Sequence, residues 1–154
     1  MDMDRIAVIG MSGLGRGIVE RLSSAAITVQ GFDPSAKTLA IAKTWLQDIR
    51  ALLVSTGLID PETRQTAIRM TTLGLDIDDA VRGADLIIDA ADSLLPDERA
   101  LLWKKIAYSA PETAVIALDL ELNAVSTPPE PIEIGQRPLI GLRWYQPVST
   151  MKLG

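Results

Sequence analysis

Three glycines and one carboxylate carry the most chemical information in this chain. Gly10, Gly13 and Gly15 lie in Gly10-Met11-Ser12-Gly13-Leu14-Gly15, between the β-branched run Arg5-Ile6-Ala7-Val8-Ile9 and an amphipathic stretch over residues 18–25. The order is strand, glycine turn, helix. Such a turn presents backbone amides and a helix N-terminus to an anion such as a pyrophosphate. The pattern matches GxGxxG at its first and third glycines and has Ser12 at the second. A Cβ there crowds the approach of a phosphate, although the hydroxyl can donate to it, so weakened or displaced binding is expected. Asp33 ends the next apolar run, 23 residues after Gly10. A carboxylate at that point accepts from the adenosine ribose hydroxyls and repels a 2′-phosphate, which favours NAD over NADP. The competing interpretation is a tight turn alone, with Asp33 capping the turn before Pro34.

Composition removes most other chemistry. The 154 residues include no histidine and no cysteine. This excludes a Ser-His-Asp hydrolase, a cysteine nucleophile, a disulfide framework, a thiolate or imidazole metal site and a histidine general base. No metal is expected. The formal net charge is −5, with no basic stripe, which argues against a nucleic-acid partner. No apolar run approaches the roughly 20 residues of a membrane span, and the acidic Met-Asp-Met-Asp start is unlike a secretory signal. A cytoplasmic protein without a membrane partner is the resulting expectation.

The positioning elements follow from apolar periodicity and capping residues. Strands are predicted over 5–10, 27–32, 71–73, 86–90, 114–118 and 139–144, and helices from 35 to about 56, from 60 to about 70, over 78–84 and over 96–109. Ser35 and Asp60 are helix N-caps, the latter followed by Pro61. Leu39, Ala42, Trp45, Leu46, Ile49, Leu52 and Leu53 recur at helical spacing and are assigned to the core, as are Leu101, Leu102, Ile106 and Trp103 on the later helix. Lys104 and Lys105 are assigned to a solvated face. The prolines of Ser126-Thr127-Pro128-Pro129-Glu130-Pro131 make that segment a loop. Strands alternating with helices predict an α/β, Rossmann-like, doubly wound and mainly parallel sheet, covered by helices on both faces in a single domain, residues 1–154.

Three stretches resemble the NAD-binding half of the 3-hydroxyacyl-CoA dehydrogenase family. Residues 6–18 (IAVIGMSGLGRGI) are similar to the family's GAGxMGxGI turn, residues 84–91 (ADLIIDAA) to its ADLVIEAV, and residues 140–153 (IGLRWYQPVSTMKL) to its IGxHFFNPVPxMxLVE. The resemblance covers nearly the whole chain. It implies NAD(H) as cofactor, bound by Gly10, Ser12, Gly13, Leu14, Gly15, Asp33, Ala90 and Ala91.

The resemblance also implies a changed reaction centre. The family's histidine base falls at Arg143, and its orienting glutamate falls immediately beyond Gly154. Its serine falls at Glu121, with Asp119 and Leu120 at the preceding asparagine and threonine positions. Its asparagine is Gln146, and its acidic residue after strand four is Ser93, or Asp92 with a one-residue slip. The family's C-terminal helical domain is expected to be absent. Arginine stays protonated near neutrality and cannot act as the base, so ordinary dehydrogenation by this chain alone is not expected. Three functions follow: an NAD(H)-binding subunit, sensor or accessory protein; a repurposed enzyme using Glu121, Asp119, Arg143 and Tyr145; or an interaction scaffold without nucleotide. The uncovered cleft face predicts a homo-oligomer or a partner subunit, with Leu139, Trp144, Val148, Met151 and Leu153 as contacts.

Overall fold

The computed structural model describes residues 3–92, 94–119, 135–145 and 148. Six strands form one parallel sheet in the order β3-β2-β1-β4-β5-β6. These are β1 (Arg5–Ile9), β2 (Thr28–Phe32), β3 (Thr71–Gly74), β4 (Leu86–Asp89), β5 (Val115–Asp119) and β6 (Leu139–Leu142). Among the described residues five helices connect them: α1 (Gly13–Ser24), α2 (Ala36–Ser55), α3 (Pro61–Arg69), α4 (Ile77–Val81) and α5 (Pro96–Ser109). The strand order reverses between β1 and β4, which opens a crevice at the carboxyl ends of those two strands.

Alternation along β1 separates two cores. Ile6 and Val8 pack with Val29, Ile88 and the inward faces of α1 and α2, including Ile18, Leu22, Leu39 and Leu46. Ala7 and Ile9 face the other side, where Ile87 and Ile116 meet Ile77 and Val81 of α4 and Trp103 and Ile106 of α5. Burial on both faces explains why β4 and β5 read as nearly continuous apolar runs. The doubly wound α/β sheet predicted from the sequence is the fold observed.

Several boundaries and orientations differ from the periodic pattern. Residues 71–74 form a full strand paired to β2, while α4 covers only Ile77–Val81 and α1 begins as early as Gly13. Spacing points Leu52 and Leu101 inward, yet they are 55% and 59% exposed. Each apolar stripe on these helices is wider than the surface its sheet offers. Trp103 meets the core expectation at 2% exposure, whereas Trp45 is half-buried with the Arg16 guanidinium 4.9 Å from its ring centre.

The α1–α2 face also contains a buried ion pair. Arg50 of α2 donates from Nε to Glu20 Oε2 of α1 at 2.7 Å, and from Nη2 to Ser23 Oγ and Thr71 Oγ1. Glu20 also accepts from Ser24 Oγ at 2.7 Å, and Thr71 donates to the Ala67 carbonyl. The network ties α1, α2, α3 and β3 together. Replacing Arg50 with methionine leaves the Glu20 carboxylate buried without its counter-charge. Urea denaturation of Arg50→Met should show a loss of about 3–5 kcal/mol; a loss below about 1 kcal/mol would mean that the pair does not hold these elements.

Candidate functional site

The turn after β1 is built by close backbone approach. Gly10 has φ +94°, and a Cβ on it would lie 2.6 Å from Ala91 Cα and 2.8 Å from the Ala91 nitrogen. Its N–H donates to the Phe32 carbonyl at 2.7 Å, tying the turn to the end of β2. At Gly15 the constraint is tighter, since a Cβ would meet the Gly10 carbonyl oxygen at 1.7 Å. Gly13 differs, because a Cβ there has nothing within 4 Å. Glycine is thus sterically required at the first and third motif positions.

The start of α1 has the donors that an anion needs. Its first helical hydrogen bond runs from the Arg16 N–H to the Ser12 carbonyl at 3.2 Å. The N–H groups of Gly13, Leu14 and Gly15 precede that bond and are left by helix geometry for an outside acceptor. Ser12 is the N-cap residue, but its side chain makes no capping bond. Its Oγ is buried with no hydrogen-bond partner among the described residues. A buried hydroxyl without a partner beside unspent amides suits a phosphate oxygen, so these residues fit the group that the motif implies.

Asp33 sits at the carboxyl end of β2 and is nearly buried. Oδ2 accepts from the Met11 N–H and Oδ1 from the Ser35 N–H, both at 2.9 Å. The carboxylate is therefore held rigidly beside the turn. Two accepted bonds leave lone pairs for two further donors, such as the hydroxyls of a ribose. A cavity of about 110 Å³ adjoins it, lined by Gly10, Asp33, Ser35, Ala91, Leu94 and Leu102 among others. Of the residues expected to bind nucleotide, Gly10, Ser12, Gly13, Leu14, Gly15, Asp33, Ala90 and Ala91 all gather at the carboxyl ends of β1, β2 and β4.

Periodicity did not single out a second ion pair at this crevice. Asp89, the last residue of β4, is buried and paired with Arg99 of α5, and its Oδ1 accepts from the Ala91 N–H at 3.0 Å. Arg99 donates through its other terminal nitrogen to the Ala91 carbonyl. Burial pushes the Asp89 carboxyl above its ordinary range, while Arg99, the Ala91 amide and the Trp103 side chain pull it back towards the ionised form. The only sequence signal was an acidic residue ending an otherwise apolar strand, ten residues before an arginine.

The residues expected at the reaction centre are only partly gathered among the described residues. Asp119 ends β5 and is buried, and Arg143 follows β6, one residue beyond the Leu142 that pairs with Asp119. Arg143 is exposed, with its guanidinium 5.8 Å from the ring centre of the exposed Tyr145. Glu121, Leu120, Ser93 and Gln146 lie outside the described residues, as do Met151, Leu153 and the proline loop. One expected surface contact is corrected. Val148 is 4% exposed and lies 3.4 Å from where a Gly17 Cβ would be, and Trp144 is half-buried against the α1 face of the core. The apolar surface of Val148 is spent on the chain itself, and that of Trp144 in part.

The strand order, the glycine turn at the reversal point and the carboxylate closing β2 define a Rossmann dinucleotide-binding domain. Residues 5–153 match the family described as 3-hydroxyacyl-CoA dehydrogenase, NAD binding domain. The chain belongs to that family. It is 29% identical over 156 aligned positions to 3-hydroxyadipyl-CoA dehydrogenase of Escherichia coli K12, covering 99% of this chain and 32% of that protein. It is 25% identical over 142 positions to 5-formyl-3-hydroxy-2-methylpyridine 4-carboxylate 5-dehydrogenase of Mesorhizobium japonicum, covering 92% of this chain and 44% of that one. Among solved structures, 3-hydroxybutyryl-CoA dehydrogenase from E. coli K12 superposes with a TM-score of 0.79 at 25% identity, over 99% of this chain and 32% of that chain. The chain thus spans less than half the length of these relatives. No helix among the described residues is long and apolar enough to cross a membrane.

The contrast between the glycines is testable by denaturation. Gly13→Ala should stay within about 1 kcal/mol of the parent protein, because the site is open and helical. Gly15→Ala should lose at least about 2 kcal/mol, because its Cβ meets backbone rather than a movable side chain. Equal stability of the two variants would contradict the packing described for the turn.

Proposed function

We propose that this chain is an NAD(H)-binding unit that holds the pyrophosphate on the Gly10–Gly15 turn and the adenosine ribose on Asp33. The family membership supports NAD(H) as the ligand. The single observation that carries the residue assignment is the conjunction of the Ser12 hydroxyl, the first amides of α1 and the pre-oriented Asp33 at one crevice. When bound, the nicotinamide supplies or accepts a hydride. The residues of this chain bind and orient it.

By this reading the chain does not carry out 3-hydroxyacyl-CoA dehydrogenation unaided. The residue aligned with the family's base is Arg143, whose guanidinium stays protonated near neutrality. The unit acts as a subunit, sensor or accessory protein. Exposed Leu139 and Ile140 on the edge strand β6, with Tyr145 just beyond, support a further copy or partner covering that edge.

Fluorescence titration tests the assignment. NADH should bind saturably, and NADPH at least about tenfold more weakly, because its 2′-phosphate faces the Asp33 carboxylate. Asp33→Ala should weaken NADH on the order of tenfold by removing charge-assisted bonds, and should narrow the gap between the two nucleotides. Absence of saturable binding, or a preference for NADPH unaltered by Asp33→Ala, would refute the reading. Production of NADH from NAD and a 3-hydroxyacyl-CoA by the purified chain would refute its second half.

A further inference from the structure

We propose that Arg99 is a positioning residue for the nucleotide crevice, acting through Asp89 and the Ala91 carbonyl to fix how the segment after β4 presses against Gly10. The proposal rests on the NAD(H) reading and concerns Arg99 and Asp89, neither of which is among the residues assigned to the nucleotide.

The geometry separates this role from simple stabilisation. A buried ion pair is often no more stabilising than well-packed apolar residues of the same volume, so stability alone does not explain why a charge ends β4. Backbone hydrogen bonding does. Asp89 accepts the Ala91 N–H, and Arg99 donates to the Ala91 carbonyl, so both polar groups of one peptide-chain residue are held by one ion pair. An apolar pair satisfies neither. Ala91 is the residue whose Cα and nitrogen lie closest to the absent Cβ of Gly10, so any shift of Ala91 is passed to the turn by hard contact.

The same helix face completes the wall. Arg99, Leu102 and Trp103 are spaced three and four residues apart on α5 and therefore share one side of the helix. Trp103 is buried in the core on this side of the sheet, while Leu102 lines the 110 Å³ cavity next to Asp33. Only residues 90–95 separate β4 from α5, and Glu98 accepts the Leu95 N–H at 3.0 Å to close that short loop. Arg99 thus joins the end of a central strand, the Ala91 backbone that packs on Gly10 and the helix behind it. Arginine suits this task because its planar fork can serve two acceptors at once, whereas a lysine ammonium offers one compact charge without that fork.

Two variants separate positioning from folding. Arg99→Lys keeps a charge opposite Asp89 without the fork that reaches Ala91. The double variant Asp89→Asn with Arg99→Met keeps an acceptor for the Ala91 N–H and leaves no buried charge unpaired. Both should melt within a few degrees of the parent protein, while their NADH dissociation constants rise on the order of tenfold, as expected when a preorganised wall is loosened. Hydrogen exchange at the amides of Gly10, Ala90 and Ala91 should accelerate in both variants, with the α2 and α3 amides unchanged. Parent protein that binds NADH while either variant binds it within twofold overturns this proposal alone. Parent protein that binds no NADH overturns the nucleotide reading and this proposal with it.

Discussion

Backbone packed directly on backbone at the sheet's reversal point is the constraint on which the crevice depends. Gly10 meets Ala91 across the gap between β1 and β4, and Gly15 meets the Gly10 carbonyl from the first turn of α1. Neither contact has room for a side chain. Because of them α1 starts close above the strand ends, its first amides face the crevice, and Asp33 can reach the Met11 N–H from the neighbouring strand. Loosening either contact moves the amides that make the site.

Charge holds the surrounding elements in two places with different consequences. Glu20 and Arg50 join the helices that cover one face, far from the crevice in role, and their partners are mainly side-chain hydroxyls. Asp89 and Arg99 sit at the crevice and are bonded to main chain. The first pair shapes a core, whereas the second controls the backbone that faces the nucleotide turn. Both are costly to break from one side, since the surviving charge remains buried.

Much of this was legible in the residues because local physics decided it. The glycine pattern, the β-branched run before it and Asp33 after β2 are short-range features, and the structure brings them together as their spacing implies. Strands alternating with helices along the chain foretold a sheet covered on both faces, and Ile6 and Val8 pack on one side of it while Ala7 and Ile9 pack on the other. Helical spacing overestimated burial at Leu52 and Leu101, because periodicity states which face is apolar but not how much surface the partner offers. The ion pairs join residues 30 and 10 positions apart, Glu20 with Arg50 and Asp89 with Arg99. Nothing local announces such pairings, since they exist only once the strands are ordered. Val148 shows the same limit, being apolar and near the end of the chain yet packed onto α1 through the space left by Gly17. The expectation that Arg143 stands at the family's histidine position rests on the motif alone, and the structure adds that Arg143 is exposed with its guanidinium 5.8 Å from the Tyr145 ring centre.

The proposed NAD(H) site is the turn between β1 and α1, next to Asp33, at the β1–β4 crevice. Amide chemical shifts followed by NMR during an NAD titration test it most directly. The largest changes should fall on Gly10, Gly13, Leu14, Gly15 and Asp33, with smaller ones at Ala90 and Ala91. Changes confined to another surface, such as the groove between α4 and α5 lined by Asp76, Lys104 and Tyr108, would contradict it.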